Sequence, residues 1–178
     1  MTHFYQHITG WFTFPKLYTS MVNRFPSGSQ FLEIGTYAGK SFAYMAVEIV
    51  NSGKDIELIG IDGFGWEGLQ EEFTRNMKPV EDKYLVIKGN SIELSRRFAD
   101  KSLDFIFIDA NHTYEDVKAD ILAYLPKVKA GGIIAGHDYC ADWPGVIQAV
   151  GEVFEGRANV EEDEVSWWME VDKTVKYI

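Results

Sequence analysis

Between Gln30 and Gly136 short apolar runs alternate with stretches whose apolar residues recur every three or four positions. That is the pattern of strands alternating with helices. Residues 31–35 read as a buried strand, and the helix after it lines up Phe42, Met45, Ala46, Ile49 and Val50, with Gly53 just past its end. Strands at 56–61 and 84–88 flank a glycine-rich turn and a short helix at 69–77. A fourth strand covers 103–109, and the helix behind it carries Val117, Ile121 and Tyr124 at helical spacing, with Thr113 and Asp116 placed as a capping box. This helix should weaken at Leu125, the residue before Pro126. A fifth strand at 132–136 and a helix from 144 to 154 complete the alternation.

The two ends differ. Thr13 and Pro15 mark a helix start, with Leu17, Tyr18, Met21, Val22 and Phe25 on one face. Near the other end, 165–170 and 174–178 flank a short turn, the spacing of a β-hairpin. The expected architecture is α/β: a doubly wound, mostly parallel sheet of seven strands with a C-terminal antiparallel hairpin. A single domain over 1–178 is expected, with a helical segment at 1–28 preceding a core at 29–178. The N-terminal aromatics Phe4, Tyr5, Trp11, Phe12 and Phe14 read as core or interface packing, with closure of a pocket as the alternative.

Composition narrows the partners. A hydrophobic fraction of 46% excludes disorder, and 27 acidic against 17 basic side chains give a net charge of −10. So acidic a chain repels a nucleic-acid backbone. Residues 151–178 hold eight acidic and three basic side chains, half of the net charge, and read as a solvated rim. The single cysteine, Cys140, cannot staple the fold, and no apolar run has the length of a membrane span. A cytoplasmic protein without nucleic-acid or membrane partners is expected, with a homodimer through the N-terminal helix as an option.

Ligands of an open parallel sheet bind beyond the carboxyl ends of its strands. Two of the four histidines and three aspartates fall at such ends: Asp62, Asp109, His112, His137 and Asp138. The first strand end reads Glu33-Ile34-Gly35-Thr36-Tyr37-Ala38-Gly39-Lys40-Ser41. A P-loop needs four residues between its glycines and has three here, so its phosphate nest is one residue short. A dinucleotide fingerprint is broken by Thr36, Tyr37 and Lys40.

An acidic residue followed by Gly-x-x-x-Gly resembles the first motif of class I S-adenosylmethionine-dependent methyltransferases, with their Rossmann-like fold. The resemblance implies that Glu33, Gly35 and Gly39 hold the methionine end of S-adenosylmethionine, with Thr36, Ser41 and Asp109 also in the cofactor site. It places Asp62 and Gly63 at the ribose and Asn90 and Ser91 at the adenine, although Ser91 also reads as a helix cap. From Phe31 to Tyr139 the chain is similar to the small metal-dependent O-methyltransferases of the catechol, caffeoyl-CoA and macrolide-sugar types. There the fourth strand ends in a metal-binding Asp, matched by Asp109, and His112 stands where the catechol type has its catalytic lysine. His137 and Asp138 fall on the Asp-Asn pair that completes the metal site, so a divalent cation would sit on Asp109, His137 and Asp138.

Two departures follow. Histidine adds nitrogen to an oxygen site, which opens manganese, iron or zinc beside magnesium. Histidine for lysine changes the base, and a site without metal, with His112 or His137 acting alone, is a further option. The function implied is methyl transfer from S-adenosylmethionine to a hydroxyl oxygen of a small molecule, a sugar or a phenol. His112, Asp109 and His137 are the catalytic candidates. A catalytically silent member of the same fold and a P-loop-like nucleotide binder are the rivals.

Overall fold

The computed structural model describes residues 1–172. Helix α1 (Pro15–Arg24) leads into strand β1 (Gln30–Ile34), α2 (Lys40–Ser52), β2 (Glu57–Asp62), α3 (Leu69–Asn76) and β3 (Tyr84–Lys88). After a single turn, α4 (Ser91–Leu94), come β4 (Leu103–Ile108), α5 (Tyr114–Tyr124), β5 (Val128–Gly136), α6 (Pro144–Val153), β6 (Asn159–Glu161) and β7 (Ser166–Glu170). The seven strands form one sheet ordered β3-β2-β1-β4-β5-β7-β6. Neighbours from β3 to β5 pair in parallel, and β7 runs antiparallel to both β5 and β6.

Alternation along each strand supplies two cores. Phe31, Phe105, Phe107, Ile133 and Ala135 face α1, α2 and α3, where Phe14, Tyr18, Phe42 and Phe73 close the layer. Leu32, Ile34, Ile106, Ile108 and Ile134 face the opposite way, onto Val117, Ile121, Val150 and Trp167. Side chains of period two thus commit the sheet to helices on both faces.

Helix ends match the sequence signals where the cap is local. Gly53 closes α2 in the left-handed region at φ 67, and Thr113 accepts from Asp116 N at the start of α5. At Leu125 the α-helix gives way to a 3₁₀ turn, Leu125–Lys127, around Pro126. Where the cap is distant the signals mislead. Thr13 does not cap α1, whose first free N–H groups, on Lys16 and Leu17, donate to the buried carboxylate of Glu164 at 2.7 and 3.0 Å. Its other end is held by Lys54, whose ammonium donates to the carbonyls of Val22, Asn23 and Phe25.

The antiparallel pair at the sheet edge also differs in its partner. Strand β7 matches the expected first arm, but the strand paired with it on the outer side is β6, Asn159–Glu161. The expected second arm, 174–178, lies outside the described residues. Among the described residues no helix is long and apolar enough to cross a membrane.

Candidate active site

The order of the sheet reverses at β1, whose neighbours are β2 on one side and β4 on the other, so a crevice opens above the ends of β1 and β4. Gly35 leaves β1 at φ +92 and lies against the Asp109 carbonyl at the end of β4. The turn from Gly35 to Gly39 then enters α2, with Gly39 N donating to Thr36 O at 2.8 Å. Asp62, closing β2, braces this turn. Its two oxygens accept from Tyr37 N (2.7 Å) and Phe64 N (2.6 Å), holding both aromatic residues at positive φ.

A cavity of about 640 Å³ occupies the crevice. Gly35, Thr36, Ser41, Asp109, His112, His137 and Asp138 line it, which brings together the predicted residues of the β1, β4 and β5 ends. Glu33, Gly39, Asp62, Gly63, Asn90 and Ser91 are not among its lining residues. Asn90, rather than Ser91, caps α4 by accepting from Glu93 N, while Ser91 donates its hydroxyl to Asp120. Thr36 lines the cavity, and its buried Oγ1 has no hydrogen-bond partner among the described residues.

The chemistry gathers where β4 and β5 lie side by side. His112 Nε2 lies 2.7 Å from Asp138 Oδ2 and 3.6 Å from Asp109 Oδ1, as an ion pair with neither oxygen aligned for a hydrogen bond. His137 Nδ1 lies 3.4 Å from Asp138 Oδ1 and 3.7 Å from Asp109 Oδ1. The carboxylates of Asp109 and then Asp138 raise His112 to about 9, against some loss from burial. For His137 burial lowers the value, and the same two carboxylates overcome it and carry it to about 9. Burial disfavours the Asp138 carboxylate, but the two imidazoles hold it well below the usual range. Asp138 itself sits at φ 60, a position that aspartate tolerates better than most side chains.

Glu33 is engaged from within the protein. It is buried beneath the crevice, where Tyr18 OH and Ser41 Oγ donate to its two oxygens at 2.7 and 2.6 Å. Burial pushes its carboxyl up to about 8 from an ordinary 4.5, the two hydroxyls pulling the other way and Asp109 and Asp62 adding repulsion. Folding therefore favours the neutral form: its contribution is full below 4.5 and is lost as pH rises through about 8. Glu33→Gln should gain on the wild type across that window by up to about 1.4 kcal/mol per pH unit in urea titrations. A difference that stays flat with pH would refute the assignment.

Sequence reasoning missed part of the wall. Trp11, Trp66 and Trp143 are 80%, 66% and 42% exposed, and all three line the cavity. Trp66 and Trp143 lie in the stretches that follow the ends of β2 and β5. Trp11 comes from the N-terminal aromatics, whose other members do pack: Phe14 is fully buried, and Phe12 meets Phe14 and Tyr44. Thr13 was also hidden; its Oγ1 lies 2.7 Å from His137 Nε2.

A sheet in this order, with a glycine turn after β1 and an acidic brace after β2, defines the class I S-adenosylmethionine-dependent methyltransferase fold. Residues 32–139, more than half of the chain, match the family described as "Methyltransferase domain", and the chain belongs to that family. It is similar to the uncharacterized protein R132 of Acanthamoeba polyphaga mimivirus, 28% identical over 69% of this chain and 58% of the relative. The uncharacterized protein y4gI of Sinorhizobium fredii is 24% identical over 60% of this chain, which spans 13% of that relative's length. Among solved structures, cofactor-bound Rv0187 from MTB superposes with a TM-score of 0.71 at 17% identity, covering 94% of this chain and 84% of that one. The O-methyltransferase NovP gives 0.71 at 17% identity, over 89% and 79% of the two chains. CalS11, a TDP-rhamnose 3'-O-methyltransferase of calicheamicin biosynthesis, gives 0.64 at 17%, over 88% and 76%.

Proposed function

We propose that the chain transfers a methyl group from S-adenosylmethionine to a hydroxyl oxygen of a small molecule, a sugar or a phenol. The carrying observation is that one cavity joins the β1 glycine turn to two carboxylates and two imidazoles at the ends of β4 and β5. S-adenosylmethionine supplies the methyl group, activated on a cationic sulfur. Thr36 Oγ1, buried and unpartnered, offers a hydrogen bond to its methionine end, and Ser41 lines the same wall. Asp62 keeps a lone pair on each oxygen for ribose hydroxyls after bracing the turn. His112 in its neutral form takes the acceptor's proton as the carbon–oxygen bond forms and the carbon–sulfur bond breaks, so transfer should quicken as pH rises toward its value of about 9. The exposed tryptophans give the acceptor ring flat surfaces to lie on. Holding both reactants in line above the β1–β4 crevice supplies much of the rate.

Asp109, His137 and Asp138 suit a divalent cation, since each offers a ligand atom and these atoms lie within 4.8 Å of one another. Such a cation would lower the pKa of a bound hydroxyl, and the nitrogen donor favours manganese over magnesium.

Calorimetric titration tests the cofactor: S-adenosylmethionine and its demethylated product should each bind at one site per chain. Saturable ATP binding in place of both would move the assignment to a nucleotide binder. With radiolabelled methyl donor and a panel of phenols and glycosides, transfer should fall on chelation and return with Mn²⁺. Full activity after chelation would remove the metal from this reading.

A further inference from the structure

Thr13 lies on the N-terminal segment, far in sequence from the strand ends, and touches the most buried of the four site side chains. A threonine hydroxyl has one proton to give. Thr13 Oγ1 donates to the backbone carbonyl of Glu164 at 2.8 Å, an atom that can only accept. The same oxygen stands 2.7 Å from His137 Nε2 and must therefore accept there, so Nε2 carries a hydrogen. In the neutral ring this leaves the lone pair on Nδ1, the nitrogen that faces Asp138 and Asp109 at 3.4 and 3.7 Å. A lone pair turned toward two carboxylates is repelled unless a proton or a cation stands between them. The brace behind Thr13 is rigid as well, because the Glu164 carboxylate is anchored on Lys16 N and Leu17 N.

We propose that Thr13 is a positioning residue: backed by the Glu164 carbonyl, it fixes the proton of His137 on Nε2 and presents Nδ1, with Asp109 and Asp138, to a divalent cation. The proposal rests on the metal reading above. It makes the N-terminal segment part of the site, since outer partners of a ligating histidine set its tautomer and orientation.

Mn²⁺ titration of the full chain, followed by the spin resonance of free Mn²⁺, tests it on the wild type, Thr13→Ser and Thr13→Val. Serine should bind like wild type, and valine about 10- to 100-fold more weakly with S-adenosylmethionine affinity unchanged. Long-range proton–nitrogen NMR of the metal-free wild type, at a pH where the His137 ring is neutral, should show the hydrogen on Nε2. That readout stands even if the valine variant does not fold. Wild-type binding with an unaffected valine variant, or a hydrogen on Nδ1, overturns the role of Thr13 and leaves the metal reading intact. A wild type that binds no Mn²⁺ overturns the metal reading and this proposal with it.

Discussion

Gly35→Ala is expected to cost roughly 2–6 kcal/mol of stability or more. A Cβ built on Gly35 would stand 2.0 Å from the Asp109 carbonyl oxygen, 2.5 Å from its carbon and 2.8 Å from Ala110 Cα. All three are backbone atoms of β4 or its exit, so no rotamer change relieves the clash. Alanine would also have to hold φ +92. Strain at such a φ costs roughly 1–3 kcal/mol, and overpacking against an unyielding wall at least as much again. Together these come to roughly 2–6 kcal/mol or more, against the roughly 5–15 kcal/mol that stabilises a domain. Gly39→Ala is the control. Its φ is nearly the same, +93, but its new Cβ would meet only side-chain atoms, of Met77 and the Phe73 ring, all at 3.2 Å, so a loss of about 1–3 kcal/mol is expected. Urea midpoints and soluble yield measure both, and equal losses would mean that β1 and β4 do not approach this closely. The same approach forms the floor of the crevice, so the fold and the site share one constraint.

The residues that were legible share a physical reason. Period-two burial in β1, β4 and β5 forces helices onto both faces, and Asp109, His112, His137 and Asp138 follow once strand ends are known to host ligands. Strand β6 escaped because its three residues are all exposed and hold only one apolar side chain, Val160, so no alternation marks them. Thr13 was read as a helix start because Pro15 begins α1, yet its hydroxyl serves His137, 124 residues away, and the helix cap is Glu164. Glu33 was visible as an acidic residue beside the glycines, but only the packing of Tyr18 and Ser41 around it shows that both oxygens are engaged internally. Local patterns encode elements; partners more than a hundred residues apart are encoded only by the completed fold.

His112→Ala should lower methyl transfer by about 10²- to 10⁴-fold while leaving S-adenosylmethionine affinity unchanged. The ring stands one short step beyond Asp109, lines the cavity, and is steered from two sides: Asp138 Oδ2 at 2.7 Å and the Trp143 ring, 4.5 Å between centroids. The loss should appear in kcat rather than KM, because proton acceptance belongs to the reacting complex and not to binding. Added imidazole should restore part of the rate to the alanine variant, a result that a purely structural histidine would not give. Trp143→Ala removes one wall and one of the two supports of His112, so it should raise the KM of the acceptor and lower kcat less than His112→Ala does, because Asp138 still holds the ring. If His112→Ala keeps full turnover, proton transfer passes to His137 or to water, and the roles of the two histidines must be exchanged. If the wild type binds S-adenosylmethionine but methylates none of the phenols and glycosides, the catalytically silent member of the fold becomes the better account.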